Sequence, residues 1–283
     1  MRIMKIYGTG NETFLFVTGI SVKQTLELYP GVCLLPVNKK LEFGTIAKKM
    51  PHNGDIAIAV LCAPFIGSQL KIEANDPETL AKKAWNAQWD IVLLSSILNT
   101  PANWNIQSDS AIENISKESL LYITHYRLDG SLLQPHKISY EESSWIKDNF
   151  INAKTLLDKA WQFETAVHSL ASYSWHSLPR VQLAVLWAGI ESLFGITSEL
   201  SFRLGIYIAN FLSHDISSAE DLLHKVKNMY KIRSSAVHGN KMQTDLQASV
   251  KEAAELLQTL IKRCVEQKSL PNIDKLNFFR QRD

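Results

Sequence analysis

The apolar pattern changes its period part-way along this chain, and that change limits the available folds more than any single motif does. Before about residue 138, short apolar segments are cut off by glycine, proline and asparagine. From about Ser139 the apolar residues recur at helical spacing and continue so almost to the end. A chain of 283 residues is long enough for two domains. The expectation is an α+β protein, with a mixed α/β domain over 1–140 followed by an all-α helical bundle over 141–283.

In the first region, Glu12–Gly19 and Gly31–Val37 read as strands. Asp55–Ala63 reads as a further, buried strand. Asn75-Asp76-Pro77-Glu78 opens a helix: a side-chain cap, proline in the first turn and an acid near the positive end. Its apolar positions Leu80, Ala84, Ala87, Ile91, Leu94 and Leu98 are helically spaced, and Asn99-Thr-Pro101 stops it. After a polar stretch, Leu120–Leu128 suggests a strand running into a turn at Asp129-Gly130. No catalytic constellation is visible here, and His125 and His136 read as ordinary surface histidines.

In the second region, helix runs from Glu141 to Tyr173 as one rod or as two joined near Ala153. Pro179 punctuates the chain. Val181–Phe194 is apolar nearly all round, as suits the centre of a bundle. Glu191 is the one charge on that segment, so it needs either an internal partner such as Arg203 or an outward position at the helix end. Around Ser201–Leu212, Arg203, Tyr207 and Asn210 make a polar ridge that either lines a site or forms a wet face. A helix from about Ala219 carries Leu222, Val226 and Met229 toward the core. Thr244-Asp-Leu-Gln247 reads as a capping box for the last helix, and the chain after Pro271 as poorly ordered.

Lys225–Lys241 is the densest chemistry in the sequence: five Lys or Arg and no Asp or Glu in seventeen residues. Arginine grips phosphate with a fixed fork of donors, and histidine moves protons near neutral pH. Arg233 and His238, five residues apart, combine these abilities. Tyr230, Ser234 and His238 share one helical ridge, with Arg233 about 140° from His238 at about 100° per residue. Gly239 reads as the helix stop. Lys225, Lys227, Lys231 and Lys241 are candidate RNA contacts, although a solvated basic face would look the same on charge alone.

Three blocks carry a family resemblance: Leu183–Phe194, Leu200–Leu204 with Arg203, and Tyr230–Gly239 with the Arg-x4-His motif. In their order and spacing the chain resembles the HEPN superfamily, in particular its Apea-like branch, over about residues 150–265. Many HEPN nucleases have Asn, Asp or His directly after the arginine. This chain has Ser234, a residue familiar in the Apea-like branch. The resemblance implies a metal-independent RNA endonuclease that needs no cofactor, acts as a homodimer, and serves in a toxin or antiphage defence system, with an antitoxin or trigger molecule as a further partner. It implies Arg233 and His238 as catalytic residues, with Ser234, Tyr230, Glu191 and Arg203 in support. On the residues alone, both motif side chains stand off the Leu222/Val226/Met229 stripe and are dispensable for folding.

Two other classes stay open: a catalytically inactive HEPN-like dimerisation or RNA-binding module, and a small-molecule enzyme with its site in the N-terminal region. Cys33, Cys62 and Cys264 are scattered and show no zinc spacing. The longest apolar run, Ile56–Ile66, is about half of what a membrane helix requires. No signal-peptide pattern opens the sequence. Cytoplasmic localisation without membrane contact is the expectation.

Overall fold

A computed structural model describes residues 6–8, 10–50, 52–128, 133–196, 200–213, 215–238 and 245–276. The chain is α+β and divides into two compact units, 1–151 and 152–283. The division therefore falls later than the 140/141 boundary expected from the sequence.

The first unit contains β1 (Glu12–Thr18), β2 (Ile20–Ser21), β3 (Leu26–Tyr29), β4 (Val32–Pro36), α1 (Phe43–Lys49), α2 (Asn53–Cys62), β5 (Ile66–Glu73), α3 (Pro77–Leu98), β6 (Asn103–Ser108), β7 (Leu121–Ile123), β8 (His136–Lys137) and the first part of α4 (Tyr140–Lys159). Its main sheet is antiparallel throughout, in the order β3-β4-β5-β1-β6-β7, while β2 and β8 form a separate parallel pair. β1 lies in the interior of the sheet, so both its edges are paired, and residues 13–18 are buried on both faces. Phe14 and Phe16 pack with Leu41, Ile46, Met50, Ala59 and Ile106. Leu15 and Val17, fully buried, point to the opposite face by strand alternation. α3 supplies Leu80, Ala84, Ala87, Ile91 and Leu94, each fully buried. Its ends are set as the sequence foretells: the Asp76 carboxylate accepts from the Thr79 amide at 2.9 Å, Pro77 occupies the first turn, and Asn99 takes the left-handed conformation.

One expectation in this unit is corrected, and two strands appear that the sequence does not suggest. Asp55–Ala63 lies in helix α2 and its end, not in a strand. Short apolar runs carry no decisive period; here Ala59 and Cys62 are buried while Ala57 and Leu61 face solvent. The polar stretch after Pro101 contains β6, every residue of which is buried. β5 was invisible for the same reason: its glutamine and serine are buried but satisfied. Gln69 Oε1 accepts from the Ile112 amide at 2.9 Å, and its Nε2 donates to Glu113 at 2.7 Å. Gln107 exchanges hydrogen bonds with the Tyr7 backbone at 2.9 and 2.6 Å. Asp129-Gly130 lies outside the described residues.

The second unit holds the end of α4, then α5 (Trp161–Ser172), α6 (Pro179–Phe194), α7 (Leu200–Leu212), α8 (Ile216–Val237), α9 (Leu246–Gln267) and α10 (Ile273–Leu276). The break between α4 and α5 falls at Ala160, whose backbone is extended, and not near Ala153. α6 is the central rod, packed against α5, α8 and α9. Gly189 makes this possible: a Cβ there would lie 2.7 Å from Ser169 Cβ and 2.9 Å from Leu257 Cδ2. The cap of α9 is Asp245, which accepts from the Gln247 and Ala248 amides. Thr244, the expected capping residue, lies outside the described residues. Beyond Pro271, where poor order is expected, residues 273–276 form α10, whose buried Leu276 has its carbonyl held by Asn210 Nδ2 at 2.9 Å; residues 277–283 of that tail lie outside the described residues.

Candidate functional site

α8 begins with the Asp215 carboxylate accepting from the Ser218 amide at 2.9 Å and ends at Val237. His238 occupies the C-cap, its amide donating to the Ser234 carbonyl at 3.1 Å. Gly239 and Lys241, the expected stop and a candidate RNA contact, lie outside the described residues. The last turn is anchored from α6, because Arg180 Nη1 donates to the Ala236 carbonyl at 3.0 Å.

Val226, Met229 and Ala236 are buried, and Leu222 is half-buried. Arg233 comes seven residues after Val226, close to two full turns, so it projects from the same side of the helix. This corrects the expectation that it stands off the core stripe. Arg233 Nη2 lies 3.3 Å from Glu191 Oε1, with the two side chains only 20% and 21% exposed. The guanidinium carbon sits 5.5 Å from the centre of the Tyr230 ring. Tyr230 in turn meets the fully buried Trp187 edge-on, with centroids 5.2 Å apart.

Glu191 is thus paired with Arg233 and not with Arg203. Arg203 donates from Nε and Nη2 to the Tyr207 hydroxyl one turn along its own helix, at 3.2 and 3.0 Å. Burial holds the Glu191 carboxyl above its ordinary value, and the Arg233 charge pulls it back in part. Burial raises the Tyr230 phenol, the Glu191 charge adds to the rise, and Arg233 opposes it. Apart from the ion pair itself, three buried polar atoms in this seam, Trp187 Nε1, Glu191 Oε1 and Arg233 Nε, have no hydrogen-bond partner among the described residues. Gln88 Nε2, Asn99 Oδ1, Trp104 Nε1, Gln182 Oε1 and Arg263 Nε share this property, so what distinguishes the seam is that three such atoms, two of them on charged groups, lie together.

His238 points elsewhere. It is exposed, as are Lys225 and Lys231, while Lys227 and Ser234 are half-buried. Five residues of helix separate Arg233 from His238 by about 140°, so a single chain offers a paired, inward guanidinium and an outward imidazole. Of the residues the sequence singles out, the structure brings Arg233, Glu191 and Tyr230 together and leaves Arg203 and His238 apart from them; the sequence misassigned the side from which Arg233 projects and did not suggest Trp187. The apolar Val181–Phe194 rod that placed α6 at the bundle centre was the available signal for that tryptophan.

In the first unit, Cys62 Sγ donates to Asn105 Oδ1 at 3.3 Å, and Asn105 Nδ2 lies 3.4 Å from His125 Nδ1. The residue types suggest a thiol nucleophile, but the chemistry opposes it. Burial pushes the Cys62 thiol up to about 11, the reverse of what an activated thiolate requires. A depression of about 650 Å³ is lined by residues that include Glu12, Gly31, Glu73, Asp76 and Lys83. Its charged groups are each engaged: Lys71, beside the depression, bridges Glu12 and Glu73 at 3.0 and 2.7 Å, Lys83 Nζ donates to the Glu73 backbone carbonyl at 3.0 Å, and Asp76 accepts from the Thr79 amide at 2.9 Å. Among the described residues, no three His, Cys, Asp or Glu side chains group as a metal site would require, and no helix is long and apolar enough to cross a membrane. No protein-family model, curated protein or solved structure matches the chain.

Proposed function

We propose that the chain is a metal-independent RNA endonuclease of the HEPN type, with Arg233 and His238 as its catalytic pair and a homodimer as its active form. The observation that carries this reading is the end of α8. There an arginine fixed by Glu191 and Tyr230 and an exposed histidine share a helix that is acid-free after Asp221 and whose Ala236 carbonyl is held by Arg180. The reaction is attack of a ribose 2′-OH on the adjacent phosphorus. His238 takes or gives the proton, Arg233 stabilises charge on the non-bridging oxygens, and the products are a 2′,3′-cyclic phosphate and a 5′-OH. DNA lacks the nucleophile and survives.

The orientation of the two side chains favours a dimer. With Arg233 and His238 on different sides of one helix, a second copy across a two-fold axis near Ser234 supplies the complementary group. A toxin or defence role in the cytoplasm is part of the same reading, and rests on the resemblance.

The engagement of Arg233 by Glu191 favours a second reading, in which the helix end packs and binds RNA without turnover. Incubating the purified chain with total RNA in excess EDTA separates the two. Fragments ending in cyclic phosphate, lost in His238→Ala, support the nuclease. Cleavage by His238→Ala at the wild-type rate sinks the assigned mechanism.

A further inference from the structure

The seam between α7 and α8 holds an aromatic side chain that core packing does not explain. Phe202, in the first turn of α7, is 55% exposed. Lys227 Nζ stands 4.8 Å from the centre of its ring. The helices approach closely because Gly205 sits where a Cβ would fall 2.8 Å from Leu223 Cδ1, and this brings the aliphatic stem of Lys227 alongside α7. An ammonium covers one face of a ring; the exposure that remains belongs to the other face and the edge. The cation–π contact therefore fixes the ring while leaving it able to stack.

The surroundings are cationic. No Asp or Glu occurs over residues 200–213 of α7 and its end, nor between Asp221 and Asp245. The carboxylate that faces α8 from α6 is Glu191, and it is paired with Arg233 on the inward side. On the outward side, His224, Lys231 and His238 follow at seven-residue intervals, with Asn228 and Ser235 between them, forming one line about 21 Å long at 1.5 Å per residue. A polar line of this length bearing positive charge, with an anchored aromatic ring beside its first half, fits a strand of phosphates with unstacked bases. It does not fit a duplex, whose bases are closed to a ring.

We infer that Phe202 is a base-stacking platform and that the α7–α8 face with Lys227 and Lys231 binds single-stranded RNA, feeding it toward His238. This rests on the proposed RNA reading but not on cleavage. The platform lies near the Lys227 end of α8, about two turns before Ser234, so it stays clear of the axis proposed for the dimer. Bases stacked there lie upstream or downstream of the cut, which makes Phe202 a determinant of strandedness rather than a catalytic residue.

The test is fluorescence anisotropy with end-labelled single-stranded and duplex RNA of one sequence, using the full chain carrying His238→Ala so that the probe survives. Phe202→Ala should weaken single-strand binding by about 5- to 150-fold, the range that base–aromatic stacking is worth, and Phe202→Trp should retain it. Lys231→Gln should instead lower the slope of log affinity against log salt by about 0.7, one phosphate contact, a slope that Phe202→Ala leaves alone. Duplex RNA should bind more weakly and ignore Phe202. Equal binding of both probes, or an unchanged affinity in Phe202→Ala, overturns the inference even if the wild-type chain cleaves RNA. Loss of binding in Phe202→Ala alongside a wild-type chain that does not cleave upholds the platform and overturns the nuclease.

Discussion

Both units bury polar side chains and leave some of their atoms without a hydrogen-bond partner among the described residues, but the two differ in where those atoms lie. In the first, Gln69 and Gln107 lie inside the sheet with donors and acceptors matched to backbone and side-chain partners. Gln88 Nε2, Asn99 Oδ1 and Trp104 Nε1, which lack a partner, are neutral and sit on α3, its cap and β6; in the second unit, unpartnered atoms of Trp187, Glu191 and Arg233 gather in one seam between helices, and two of the three groups are charged. A satisfied amide specifies register and lacks capacity for anything more. An ion pair with unused donors and acceptors costs stability, and so calls for a reason beyond packing.

The largest expected effect tests whether that reason is chemistry. Arg233→Ala and His238→Ala should each lower RNA cleavage by about 10²- to 10⁴-fold. Mixing the two inactive variants should restore a measurable fraction, because each heterodimer keeps one arginine and one histidine. Gel assays across mixing ratios report this, and strict inactivity of every mixture would exclude a shared site.

Next comes stability, where the two motif residues should part company. Arg233→Ala strands the Glu191 carboxylate and should cost about 1–3 kcal/mol. His238→Ala should stay within about 0.5 kcal/mol, as for an exposed position. Urea midpoints measure both. A neutral Arg233→Ala would mean that the seam is no more demanding than surface.

A smaller effect concerns pH. The Glu191 carboxyl sits above its ordinary 4.5 in the folded chain, so the folded state holds that proton more tightly than the unfolded one. Its contribution is most favourable below about 4.5 and is lost as pH rises through the raised value, by less than about 1.4 kcal/mol per unit. Relative to Glu191→Gln, the wild type should therefore lose stability as pH climbs over that window. A gain would show that the Arg233 attraction outweighs burial.

Least of all should happen at Cys62. With its thiol pushed up to about 11, native protein at neutral pH should resist alkylation there by mass spectrometry, and Cys62→Ser should leave RNA cleavage unchanged. Rapid labelling would reopen the Cys62–Asn105–His125 group as a reactive site.

The same contrast explains what could be read from the sequence. α3 was legible because its cap, first-turn proline and long apolar period all agree. α2 was misread because Ile-Ala-Ile-Ala-Val suits either period over so few residues. β5 and β6 were hidden by glutamine, asparagine and serine, which suggest solvent until their partners are known. The site divides likewise. Arg233 and His238 stood out by type and spacing, and the seven-residue step from Val226 was present in the sequence as a sign that Arg233 turns inward. The Glu191 partner was not legible, since the choice between Arg203 and Arg233 depends on how α6, α7 and α8 cross.

The place of β1 has a consequence for the order of events during synthesis. The strand emerges first, yet it pairs with β5 on one side and β6 on the other, and Thr13 Oγ1 donates to the Ser108 carbonyl across 95 residues of chain. Its apolar run Phe14–Val17 must wait for about half of the unit before the β5 flank closes and longer before the β6 flank does, whereas in the second unit α5 packs on α6 and α7 on α8, each on its successor in the chain. Non-local pairing of this kind slows folding and leaves a sticky strand exposed to other chains. On dilution from denaturant, tertiary signals from the sheet should lag helix formation, and aggregation in that interval should fall when Phe16 is replaced by a polar residue.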